Sequence, residues 1–89
     1  MAKIVFTPNI QRHVVCPEAE VAGASVREVL DNAFASNPQA RSYVLDDQAA
    51  LRRHMTIFVD GRMIRDRARL ADTVGEASTI HIFQALSGG

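Results

Sequence analysis

The sequence predicts an α+β domain in which a mixed sheet packs against one main helix, and three observations carry that expectation. Alternating apolar and polar residues recur near the start, in the second half and at the end of the chain. A capped segment with helical spacing lies between the first two of these stretches. An Asp60-Gly61 pair sits where a strand must turn back on itself.

The first strand spans 3–7, where Ile4 and Phe6 share one face and Lys3, Val5 and Thr7 the other. Pro8 and Asn9 break that pattern, and the β-prone run over 13–16 then predicts a second strand closing an opening hairpin. Ser25-Val26-Arg27-Glu28 is a capping box: the Ser25 hydroxyl accepts from the Glu28 N–H, and the Glu28 carboxylate reaches back to the Ser25 N–H. Val26, Val29, Leu30, Ala33 and Phe34 follow as one apolar stripe, with Arg27, Glu28, Asp31 and Asn32 on the wet side. Asn37-Pro38 is expected to stop the helix, because proline disfavours helical geometry in the residue before it. The polar stretch 39–53 reads as an irregular crossing with a short helical turn.

A third strand covers 54–59, with Met55, Ile57 and Val59 on one face and His54, Thr56 and Phe58 on the other. Glycine tolerates the positive φ of a tight turn, so Asp60-Gly61 returns the chain as a short fourth strand over 62–64. Leu70 and Val74 are available for burial in the polar connection that follows. The last strand, 79–84, turns Ile80 and Ile82 inward and His81 and Phe83 outward.

With 89 residues the chain suits one domain, and with 10 basic against 10 acidic residues it has no global field to gather nucleic acid or an anionic membrane. No apolar run reaches the roughly 20 residues of a membrane span, and the N-terminus lacks a secretory pattern, so a cytoplasmic protein is expected. Cys16 has no second cysteine to pair with and reads as a half-buried strand or loop thiol; as a nucleophile it would need an activating neighbour such as His13. His13, His54 and His81 lack metal-ligand spacing. The arginines at 52, 53, 62, 65, 67 and 69 read as a solvated face interspersed with Asp60 and Asp66.

Three stretches carry a family likeness: I-V-F-T-P-N-I-Q-R over 4–12, L-R-R-H-M-T-I-F-V-D-G-R over 51–62, and T-I-H-I-F-Q-A-L-S-G-G over 79–89. Their order, with two glycines at the end, resembles the ubiquitin-like β-grasp sulfur-carrier family, the ThiS/MoaD type. In length and pattern the chain is similar to the carriers serving cysteine biosynthesis. The resemblance implies a β-grasp domain over 1–85 and a flexible diglycine tail over 86–89.

It also implies a protein co-substrate with no bound cofactor and no catalytic or metal-binding residue of its own. An E1-like adenylating enzyme consumes ATP to activate the carboxylate of Gly89, and a sulfur donor converts it to a thiocarboxylate. A sulfur-accepting biosynthetic enzyme is a second partner, and a metalloprotease that trims the C-terminus is a third the resemblance leaves open. A carboxyl terminus has a reference pKa of about 3.3–3.7, so at neutral pH it is an anion and a poor electrophile until activated. Gly88 and Gly89, without Cβ atoms, suit entry into a narrow channel, with Ser87 as spacer and Leu86 as apolar anchor. Phe58 and Phe83, with Val5, fall on the sheet face opposite the helix and form an expected docking patch beside the tail. Two other functions use the same sequence: a protein modifier conjugated through Gly89, and a non-covalent β-grasp interaction module with an inert tail.

Overall fold

A computed structural model describes residues 1–84 of the chain. The element order is β1 (Ala2–Phe6), α1 (Pro8–Gln11), β2 (Ala19–Val21), α2 (Val26–Ala33), α3 (Pro38–Val44), β3 (Met55–Val59), β4 (Arg62–Met63) and β5 (Thr79–Gln84). The five strands form one mixed sheet in the order β2-β1-β5-β3-β4. Its central pair, β1 and β5, is parallel, and every other neighbouring pair is antiparallel.

Period-two alternation builds the sheet's inner face. Ile4, Phe6, Met55, Ile57, Ile80 and Ile82 are all buried there, as the sequence predicts. Against them lie Val26, Val29 and Leu30 of α2, with Phe34 just beyond the helix, so the expected stripe closes the core. Burying side chains of this size contributes about 1.5–3 kcal/mol each. Phe6 and Phe34 meet with ring centroids 6.0 Å apart.

Three expectations are corrected. The second strand is not at 13–16 but at Ala19–Val21, where Ala2, Lys3 and Ile4 pair with Val21, Glu20 and Ala19. Residues 8–16 instead form α1 and an irregular loop: Pro8 supplies the first-turn geometry and Ile10 enters the core. Asn37-Pro38 does not stop α2 but starts α3. Asn37 Oδ1 accepts from the Ala40 N–H at 3.3 Å, and Pro38 stands at the first helical turn, where its missing N–H costs nothing. The segment 39–53 therefore opens with most of the seven-residue α3, which buries Ala40 and Val44, rather than with an isolated turn. The main helix expected from the sequence is α2, the longest of the three described helices.

The capping box forms with one change of partner. Ser25 Oγ accepts from the Glu28 N–H at 3.2 Å, whereas Glu28 Oε1 accepts from the N–H of Ala24, not Ser25, at 3.1 Å. The Asp60-Gly61 turn is present, with φ of 50° and 85° at its two residues. β4 ends at Met63, although Ile64 still donates its N–H to Ile57 and is buried.

Candidate functional site

The strand register decides what the open face presents. Val5 stands beside His81, His81 beside Phe58, and Phe58 beside Met63, so one cross-strand row runs over four strands. The neighbouring row brings Thr56 beside Phe83. Phe58 and Phe83 meet edge to face with centroids 5.4 Å apart, and His81 lies 6.1 Å from Phe83. Phe83 is 40% exposed and Met63 59%, while Val5 and Phe58 are half-buried. The sequence brings Phe58 and Phe83 together as expected; it gave no reason to include Met63, whose place depends on the hairpin register.

The other face of β5 ends differently. Gln84 has the inward parity of Ile80 and Ile82, and its Oε1 accepts from the Tyr43 hydroxyl at 2.8 Å. Tyr43, on α3, packs partly buried against the core. Its ring stacks on His13 at 5.6 Å and meets the edge of His54 at 6.4 Å. Sequence reading missed this cluster, although a signal existed: a polar residue at an inward position of a strand needs a partner. Leu86, Ser87, Gly88 and Gly89, the remaining expected site residues, lie outside the described residues.

Polar side chains set the loops around this frame. Asp60 accepts from the Thr79 N–H at 2.9 Å and the Ser78 hydroxyl at 2.7 Å, and these bonds hold its carboxyl below the usual range. The N–H of Arg69 does the same for Asp66. Arg52 and Arg67 are corrections to the solvated arginine face. Arg52 Nε donates to the Ser42 carbonyl at 2.7 Å, and Arg67 Nη2 to the Arg52 carbonyl at 2.8 Å, so both staple loops. Cys16 is buried in the loop before β2, its thiol donating to the Val14 carbonyl, and burial raises its pKa. His13, its activating neighbour by sequence proximity, is instead stacked on Tyr43. Among the described residues, no three His, Cys, Asp or Glu side chains gather as a metal site, and no helix is long and apolar enough to cross a membrane.

A chain in the crystal structure of the Amycolatopsis orientalis BexX/CysO complex superposes with a TM-score of 0.83 at 20% identity, covering 100% of each chain. SAMP1 of Methanosarcina acetivorans, a small archaeal modifier protein, gives 0.79 at 22% identity over 99% of this chain and 95% of that one. CysO of Mycobacterium tuberculosis, described as an antigen, gives 0.79 at 16% identity over 97% and 100%. These likenesses establish the ubiquitin-like β-grasp fold. No curated protein matches the chain in sequence. The ThiS family model matches residues 10–89, nearly the whole sequence, and the chain therefore belongs to the ThiS family of small β-grasp proteins.

Proposed function

We propose that this protein is a sulfur carrier whose working group is the carboxylate of Gly89. The observation that carries this reading is the extent of the family match, which runs through residue 89 and so includes Gly88-Gly89. An adenylating partner joins the carboxylate oxygen to the α-phosphorus of ATP and releases pyrophosphate. A hydrosulfide equivalent then attacks the carbonyl carbon, AMP leaves with the bonding electron pair, and loss of a proton gives the thiocarboxylate.

The chain acts in this scheme as co-substrate, not catalyst, and binds no cofactor; ATP belongs to the partner. Residues 1–85 are the domain a partner grips and 86–89 the tail it takes up. The row Val5, His81, Phe58 and Met63, with Phe83 alongside, supports docking on the open face, since aromatic anchors dominate specific interfaces. Leu86 and Ser87 extend that contact towards the pocket. The likeness to CysO, which forms a complex with BexX, supports an enzyme partner and a place among the carriers of cysteine or other sulfur-containing products. A cytoplasmic site of action is consistent with dependence on ATP.

The test is intact mass spectrometry after incubation with ATP, sulfide and adenylating enzymes of the same cell. The expected gain is that of one oxygen replaced by sulfur, and it disappears in a chain lacking Gly88-Gly89. No mass change with any such enzyme overturns the reading. The likeness to a small archaeal modifier supports a second reading, conjugation through Gly89 to a lysine, because the same activated carbonyl accepts an amine. Isopeptide-linked products in place of the thiocarboxylate would select it.

A further inference from the structure

We propose that Tyr43 is a positioning residue for activation of the tail: by holding the Gln84 side chain it fixes the root from which the C-terminal acid is presented. The inference rests on the sulfur-carrier reading for its consequence, but not for its geometry.

Gln84 is the last residue of β5, and five residues separate it from the end of the sequence at Gly89. Even fully extended, that many residues span no more than about 18 Å, so the direction and steadiness of the root limit where the acid can go. β5 is held on both sides as far as Ile82. Gln84 pairs with Met55 of β3, while on the β1 side the last backbone bond runs from the Thr7 N–H to Ile82 O at 3.2 Å. Beyond it the β1 edge turns away into α1, so Gln84 has a strand neighbour on one side only.

The Tyr43 hydroxyl takes over as a side-chain tether from α3, at 2.8 Å. The tether is itself braced. His13 stacks on the Tyr43 ring and His54, next to Met55, meets its edge, so three separate segments converge on the phenol. A neutral amide accepting from a phenol in a half-buried setting is a directional contact, and no other hydrogen bond described in the chain ties α3 to β5. Adenylation requires the carboxylate oxygen within about 3–3.5 Å of phosphorus in a near-attack arrangement, and a misplacement of about 1 Å can cost a hundredfold.

Tyr43→Phe removes the hydroxyl and keeps the ring and both stacking contacts. Gln84→Leu removes the acceptor, and Gln84→Glu restores one. On the full-length chain alone, 15N relaxation should show the Gln84 amide order parameter falling from about 0.85 towards 0.6 in Tyr43→Phe and Gln84→Leu, with core amides unchanged. With an adenylating enzyme, kcat for pyrophosphate release should fall about tenfold in both, with KM for the carrier within about twofold, and Gln84→Glu should recover most of the loss. An unchanged order parameter, or equal losses in KM and kcat/KM at constant kcat, overturns the proposal. If the order parameter falls but no enzyme adenylates the wild-type chain, the sulfur-carrier reading fails, and with it Tyr43's role in activation.

Discussion

The guanidinium of Arg27 donates to the carbonyl of Ala49 across 2.6 Å, joining the start of α2 to a loop 22 residues away. Its Nε also donates to the Arg69 carbonyl, and its backbone N–H to Leu70 O. Ala49 and Leu70 both have positive φ, 63° and 59°. One side chain thus braces the two loops in which the backbone adopts a conformation costing a non-glycine residue about 1–2 kcal/mol.

Arg27→Met is expected to destabilise the fold by about 2 kcal/mol, because charge-assisted bonds to both loops are lost while the aliphatic stem is kept. Ala49→Gly should act in the other direction, stabilising by about 0.5–1 kcal/mol as the strain at φ 63° is relieved and partly offset by glycine's entropy. Urea denaturation of both variants checks the pair. Equal midpoints for Arg27→Met and wild type would refute the bracing role.

Gly23 is required by a close approach. A Cβ there would stand 2.7 Å from Val29 Cγ2 and 2.8 Å from the Val29 backbone nitrogen, and the backbone cannot yield as a flexible side chain can. Gly23→Ala should therefore cost about 1–3 kcal/mol, measured by thermal unfolding. A variant as stable as wild type would show that α2 can shift outward freely.

Stability should fall in acid through Asp60. Its carboxyl titrates below the ordinary 3.8 when folded, chiefly because of the Thr79 N–H and then the Ser78 hydroxyl. The unfolded chain consequently takes up the proton first. The contribution is complete above the unfolded value and is lost as pH falls through the folded one, below about pH 4. Asp60→Asn, which tolerates the positive φ, should show a shallower decline over that window than wild type. Superimposable pH profiles would remove Asp60 as a contributor.

Phe83→Ala should weaken binding of an adenylating partner by at least about tenfold while changing stability little, since the ring is 40% exposed. Titration calorimetry against that partner, beside a thermal melt, separates the two effects. A dissociation constant unchanged by the substitution places the docking surface elsewhere.

Much of this architecture was legible because its signals are local. The strand at 79–84, the turn at Asp60-Gly61 and the Ser25 cap each rest on a pattern read within a few residues. The run Val14-Val15-Cys16 misled for a tertiary reason: its β propensity has no strand edge to join, Val15 is 79% exposed, and Ala19–Val21 takes the place beside β1. Asn37-Pro38 carries opposite meanings at the two ends of a helix, and only the Asn37 bond to Ala40 distinguishes them. α3 was hidden by its few buried residues, Ala40 and Val44, and with it the Tyr43 partner of Gln84. The open-face pair Phe58 and Phe83 followed from alternation alone, whereas Met63 needed the pairing across the hairpin.

Because the neighbouring strands β1 and β5 run in the same direction, the amino end of the chain emerges at the opposite end of the strands to the one where β5 finishes. Five residues of strand put roughly 17 Å between those two ends. A fluorophore or affinity handle fused ahead of Met1 is thereby kept clear of any enzyme engaged at Gln84, while the same fusion at Gly89 would occupy the acid itself.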